Sequence, residues 1–374
     1  MRISLAKSDT AFSVAPDQSL LDAALSASLN LPHSCKGGNC GSCRARLLQG
    51  EIYYPNGPPL GLSEAEAAEG FVLMCQARAR SDLSLETYEI TAPDQALIKR
   101  LPARVERALL LSHDVMGLHL RLPAAEAFPF EAGQYIDVML PGGRRRSFSI
   151  ASPPHDSRLL ELHVRRVAGG EFSGPLFDAG ARSALLNIEG PLGQFKYRPG
   201  AEPMLLVGGG TGLAPLLSIL RHVIENGIER DMTLYWGVRS ERDLYASAVL
   251  EKLARDCAAA ASNSAPQGRP TAPTAYAAPA APAAPAARLR YVPVLSEPSS
   301  SWKGARGWVH EAVLEDIGDL EKYAVYAAGP PAMIAAVRRE FGLRGVAPSR
   351  LFFDSFDYSP DALARQRTSA DTKS

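Results

Sequence analysis

The chain has no surplus of either charge: 40 Lys and Arg are matched by 40 Asp and Glu. Such a balance leaves no global field to gather nucleic acid or a strongly charged partner. Long apolar runs are missing too. No stretch approaches the roughly 18 residues that a membrane span needs, so neither nucleic acid nor membrane is expected as a partner. The stretch MRISLAKSDTAFSV alternates apolar and polar residues and lacks the apolar segment of a secretory signal. Cysteine is scarce, with five in 374 residues. That usage fits a reducing cytoplasm better than a disulfide framework. The rest is ordinary for globular protein, at 46% hydrophobic and 21% charged residues, and the length implies two or three domains.

The few cysteines are not scattered. Cys35, Cys40 and Cys43 form C-x4-C-x2-C inside SCKGGNCGSCRAR, and Cys75 follows after 31 intervening residues. This is the plant-type spacing for a 2Fe-2S cluster. Four thiolates must converge on two irons, so the backbone has to curl. Gly37, Gly38 and Gly41 permit the curl and the close approach. Zinc sites usually repeat a close cysteine pair twice, and only one close pair is present. Cys257 stands apart and reads as an incidental thiol.

Around this loop, Ile3 and Leu5 alternate as in a half-buried strand, and Ala11 to Val14 suits its partner. Leu20, Leu21, Ala24 and Leu25 have helical spacing, with Asp17 or Ser19 as N-cap. Arg44 to Leu48 and Leu83 to Tyr88 read as strands, and Ser63 to Glu66 as a capping box. Residues 1–92 therefore form a small β-grasp unit and resemble a plant-type ferredoxin.

Ala92 to Lys99 reads as a linker into a second unit, residues 100–199. Short strands are expected at 104–111, 117–122, 134–140, 147–151 and 160–167, which suggests an antiparallel β-barrel. Arg144 to Arg146 alone would be a solvated charge run. The order Arg146-Ser147-Phe148-Ser149, Gly170 to Ser173, then Gly190 to Phe195, however, resembles the flavin domain of the ferredoxin–NADP reductase superfamily. The resemblance implies that Arg146 binds the FAD diphosphate, completed by Gly170 and Ser173. Phe148 would pack along the flavin, with Ser149 near its hydride-accepting nitrogen and His163 and Val164 flanking it. The family often has Tyr where Phe148 stands.

The third unit, residues 200–359, opens with the buried strand Met204 to Val207. It runs into Gly208-Gly209-Gly210-Thr211-Gly212-Leu213-Ala214-Pro215 and an amphipathic helix. Strand, glycine loop and helix begin a nucleotide-binding α/β fold with a doubly wound parallel sheet. Leu213 replaces the third glycine of G-x-G-x-x-G, and the variant resembles the pyridine-nucleotide loop of the same superfamily. The resemblance implies an NADH site from Gly209, Gly210, Thr211, Gly212, Pro215, Gly237, Arg239, Asp243, Gly329, Pro330, Met333 and Phe356, with Ser149 and Thr211 at the catalytic centre. Ala328 stands where the family usually has Cys beside the nicotinamide. Arg239 to Asp243 mixes two Arg with two acids, which favours NADH over NADPH because a 2′-phosphate wants several cations. Residues 258–287 hold 15 Ala and 6 Pro and read as a disordered insert. Residues 360–374 read as a flexible tail.

The chain as a whole is thus a multidomain α+β and α/β protein. The resemblance implies a reductase that carries electrons from NADH through FAD to the 2Fe-2S cluster and on to a partner protein. Ser34–Ala45, Arg145–Ala151, Glu161–Val167, Tyr291–Leu295 and Ser301–Leu320 resemble the CDP-6-deoxy-delta-3,4-glucoseen reductases, whose partner is a sugar dehydrase. Reductase components of aromatic-ring dioxygenases and monooxygenases share the domain order, with an oxygenase as partner. A redox sensor with little turnover is the reading from another class.

Overall fold

The computed structural model describes all residues except 7–9, 28, 30, 34–36, 39, 40, 42, 60, 63, 88–97, 142, 143, 180–183, 264–286 and 357–374. Cys35, Cys40, Ser63, most of the Ala/Pro stretch and the tail thus lie outside the described residues.

The N-terminal unit is a five-stranded mixed sheet in the order Ala11–Ser13, Arg2–Leu5, Leu83–Glu86, Arg44–Gln49, Phe71–Leu73. Arg2–Leu5 pairs in parallel with Leu83–Glu86, so the chain must cross over between them. The helix Leu20–Ser26 packs Leu20 and Leu21 onto Ile3 and Leu85 in one buried cluster. Ser19 is its N-cap, accepting from the Asp22 amide at 3.0 Å. Asp17, the other candidate, sits at a φ of 61° outside the helix.

The second unit is a six-stranded antiparallel sheet: Arg145–Ser149, Tyr135–Met139, Leu185–Leu192, Lys99–Ser112, Val115–Arg121, Leu159–Arg165. An Ile150 to Leu162 bridge joins its two outer strands and closes the barrel. Leu118, Leu120, Ile136, Val138, Ile150, Leu160, Leu162 and Ile188 fill the inside. Two expectations are corrected here. The first strand begins at Lys99, inside the expected linker, and Leu185–Leu192 is a sixth strand. That strand carries Gly190-Pro191 just before its last residue, which masks its alternation.

The third unit is a six-stranded all-parallel sheet in the order Ala305–Arg306, Arg288–Leu295, Asp231–Val238, Met204–Gly209, Ala324–Gly329, Leu351–Ser355. Its central strands are buried on both faces, which is why they read as unbroken apolar runs. Helices Leu213–Glu225 and Ser247–Asn263 share one buried cluster, and Val309–Asp316 and Pro331–Leu343 share the other. Strand order reverses between Met204–Gly209 and Ala324–Gly329, and sheets of this kind bind ligands in the crevice at such a point.

The expected insert is also corrected at its ends. The helix begun at Ser247 continues through residues 258–263, and Ala287 is buried. Alanine is the best helix former, and the first proline of the stretch comes only at Pro266. Cys257 is a buried core residue of that helix, and burial raises its thiol pKa. Among the described residues, no helix is long and apolar enough to cross a membrane.

Candidate functional site

The cluster end is built on the pairing of Arg44–Gln49 with Phe71–Leu73. Cys43 precedes the first strand and Cys75 follows the second, and the Met74 amide donates to the Cys43 carbonyl at 3.1 Å. Both side chains are buried. Gly38 and Gly41 adopt positive φ of 84° and 71°. A Cβ on Gly38 would meet Gln76 Cγ at 2.6 Å, so only glycine fits this approach. Two buried thiols beside a left-handed glycine loop fit a 2Fe-2S cluster, which Cys43 and Cys75 would hold with Cys35 and Cys40.

At the barrel edge, alternation separates the three arginines. Arg145 turns to Glu189 and Asp137, whereas Arg144 and Arg146 turn to Glu171, the latter at 3.8 Å. The run is therefore not simply solvated. Phe148 packs on Phe172 with ring centroids 5.1 Å apart. Ser149 is buried opposite Tyr135 in the strand register. Gly170 and Ser173 form a tight turn: Ser173 Oγ accepts from the Val167 amide at 3.0 Å, and a Cβ on Gly170 would lie 2.5 Å from that oxygen. A largely sheltered cation beside aromatic rings and a glycine turn suits a diphosphate with an attached ring system.

Two neighbours on the next strand turn their side chains into the protein. Val164 is fully buried in the barrel core. His163 bonds Tyr245 Oη at 3.0 Å through Nδ1 and Glu161 Oε1 at 3.1 Å through Nε2. Its ring is committed to the junction with the nucleotide domain. Arg221 completes this junction, donating to Glu161 at 2.6 Å, and Ser218 Oγ donates to the Ser152 carbonyl at 2.8 Å. Burial alone would push the Glu161 pKa up, but the His163 hydrogen bond and the Arg221 charge bring it down to about 2. Arg221 and Ser218 lie on the helix that begins at the glycine loop. The end of the Ser149 strand and that loop are thus fastened together.

The crevice gathers most of the remaining residues. A Cβ on Gly209 would meet Met333 Sδ at 2.7 Å and Pro330 Cδ at 2.8 Å, and one on Gly212 would meet the Ala328 carbonyl oxygen at 2.0 Å. Gly210 has a φ of 56°, and its carbonyl accepts from Trp236 Nε1 at 2.8 Å. Thr211 is part-exposed in this turn, and Pro215 is buried in the following helix. The Phe356 amide donates to the Gly329 carbonyl at 3.0 Å, which brings the last aromatic to the same crevice. A cradle of backbone with no room for Cβ atoms fits a dinucleotide. Concavities lined by Asp231, Arg288 and Lys322 open at the opposite, N-terminal ends of the strands, away from this chemistry.

Three predicted residues have a structural use. Gly237 makes room for Val309, which a Cβ would meet at 2.8 Å. Asp243 is buried and caps its own turn, accepting from the Ser240 amide and hydroxyl at 3.0 and 2.9 Å. It does not point out to a ribose. Arg239 is exposed and leans toward Asp114 of the barrel at 3.8 Å. His113, Asp114 and Asp243 offer ligand atoms within 4.8 Å of one another, but Arg165 and Arg239 face the same carboxylates, so this is an ion-pair cluster. Sequence reading missed Asp114, Arg165 and Tyr245 as junction residues, because each acts on a residue distant in sequence.

Comparisons with known proteins agree with this geometry. Residues 3–80 match the model of a 2Fe-2S iron-sulfur cluster binding domain. Residues 102–197 match an oxidoreductase FAD-binding domain, and 206–276 and 274–339 an oxidoreductase NAD-binding domain. The CDP-6-deoxy-L-threo-D-glycero-4-hexulose-3-dehydrase reductase of Yersinia pestis is 35% identical over 95% of this chain and 98% of its own. The chain belongs to the iron–sulfur flavoprotein reductases of the ferredoxin–NADP reductase superfamily. The reductase is also 34% identical to terephthalate 1,2-dioxygenase reductase component 2 of Comamonas sp, over 96% and 98% of the two chains. The crystal structure of Amycolatopsis cytochrome P450 reductase GcoB superposes with a TM-score of 0.70 at 32% identity, covering 95% and 98%. The reductase is an NAD(P)H-dependent oxidoreductase with FAD and a 2Fe-2S cluster, and it passes electrons to an accepting partner.

Proposed function

We propose that the reductase takes hydride from NADH in the crevice between Ser149 and the Thr211 loop and serves a cytoplasmic sugar-nucleotide dehydrase. The observation that carries the first half is the fastened junction, in which Ser218 and Arg221 tie the glycine-loop helix to the end of the Ser149 strand. NADH gives its electrons in pairs and the cluster accepts them singly, and bound flavin supplies the conversion. The chain's residues bind and orient. Arg146 would hold the diphosphate, Phe148 and Phe356 would line the ring, and Gly209, Gly210 and Gly212 would let the nucleotide approach the backbone. Ser149 and Thr211 sit at the transfer centre. Pro330 and Met333, which pack against Gly209, would border the nicotinamide, and Ala328 stands in place of the family's Cys. Arg239 is held among Asp114 and Asp243, which leaves a 2′-phosphate poorly matched and favours NADH.

The acceptor is read from the relatives. The 35% identity to the Yersinia dehydrase reductases, over nearly the full length of both chains, supports a CDP-linked deoxyhexulose dehydrase. The dioxygenase reductase relative supports an oxygenase as the second reading. Purified reductase should be mixed with NADH and each type of acceptor in turn. Product formation with the dehydrase and none with the oxygenase is expected; the opposite pattern reverses the assignment.

A further inference from the structure

We propose that Arg338 docks the cluster loop onto the nucleotide domain and so sets the separation that electrons cross on their way to the cluster. It is a positioning residue. Arg338 lies on the helix Pro331–Leu343, which starts at the crevice and runs to the ferredoxin domain. Its Nη1 donates to the Gly61 carbonyl at 3.3 Å, and its Nη2 faces Glu66 Oε1 at 3.7 Å. Its guanidinium lies 4.9 Å above the Phe353 ring of the last strand, which orients the fork. The two ferredoxin groups it touches are both anchored in the cluster loop. The Gly61 amide donates to the Gly38 carbonyl at 2.8 Å. Glu66 also pairs with Arg44, the neighbour of Cys43. Directly above Gly41, a Cβ would find Gly61 O at 3.3 Å and the Arg338 nitrogens at 3.8 and 3.9 Å.

One guanidinium from another domain therefore lies beside Gly41 and contacts Gly61 and Glu66, which bond in turn to Gly38 and Arg44 of the cysteine loop. Arginine suits this duty because its charge is permanent and its planar fork serves two acceptors at once. A part-exposed pair of this kind adds little stability. Its consequence is geometric, since domains in one chain move relative to each other unless a contact holds them, and electron transfer slows exponentially with separation. Each hydride brings two electrons, which cross this junction singly, one per cluster reduction. Two crossings complete one NADH, with no bond or proton change at Arg338.

The inference rests on the order NADH, flavin, cluster, and the experiment tests the two separately. Holo reductase and its R338A, R338K and R338E variants are mixed with NADH in a stopped-flow instrument. Bleaching of wild-type flavin before cluster tests the order itself. In R338A, flavin bleaching should keep its wild-type rate while the following cluster bleaching slows about tenfold or more, as small misplacements do elsewhere. R338K should recover part of the rate. The cluster's electron paramagnetic resonance spectrum after dithionite should not change. Small-angle scattering of R338E should show a larger radius of gyration. Cluster bleaching in R338A at the wild-type rate would overturn the proposal. So would a parallel loss of flavin bleaching, because the substitution would then be disturbing the nucleotide domain itself.

Discussion

Replacing Glu161 by Gln tests the junction between the barrel and the nucleotide domain. The carboxylate sits between His163 of the barrel and Arg221 of the nucleotide-domain helix, at 3.1 and 2.6 Å. Its pKa is about 2 against an ordinary 4.5. Each pH unit of depression is worth about 1.4 kcal/mol, so the folded state gains about 3 kcal/mol from this charge. Removing one member of a sheltered pair costs about 3–5 kcal/mol in other proteins, which agrees. The sign follows from the depressed value. The gain is complete above pH 4.5 and is lost as the pH falls from there toward 2. All three tryptophans, Trp236, Trp302 and Trp308, lie in the nucleotide domain, so their fluorescence in urea isolates the unfolding of that domain. E161Q should lower the midpoint by a similar amount at pH 8, 7 and 5, and the gap to wild type should narrow at pH 3. An unchanged midpoint at pH 7, or a gap that widens in acid, would refute the reasoning.

Other substitutions separate the parts of the machine. C43S removes a buried thiol that would bind the cluster: cytochrome c reduction should collapse while NADH still bleaches the flavin and ferricyanide is still reduced. R146A should show the opposite loss, with FAD released on gel filtration and the cluster spectrum kept. G212A places a methyl 2.0 Å from the Ala328 carbonyl oxygen. It should raise the KM for NADH about tenfold or more and lower nucleotide-domain stability by about 1–3 kcal/mol, seen in steady-state kinetics and in the same fluorescence assay.

The sequence was most legible where chemistry imposes spacing or φ. Cys43 and Cys75 fall on adjoining strand ends, and Gly38 and Gly41 take the left-handed conformations that the loop chemistry asks for. The three sheets followed from period-two and continuous apolar patterns. Residues 258–263 were misread because composition over a window hides where the first proline falls. The capping role of Asp243 was not legible, because an acid beside a ribose site and an acid capping its own turn look alike in one dimension. The junction roles of His163 and Arg338 could not be read from local pattern, since each contacts a residue in another domain, and Arg165 meets Asp114 only through the fold of the barrel.

The helix that carries the start of the Ala/Pro stretch ends at Asn263, and Ala287 stands just before the strand Arg288–Leu295. That is the amino end of a parallel strand, and the crevice opens at the carboxyl end. The attachment point of residues 264–286 at Arg288 is therefore at the end of the sheet away from the crevice. For engineering, the same position is a port: an affinity tag or a fluorescent reporter spliced there would ride on the enzyme without entering its chemistry.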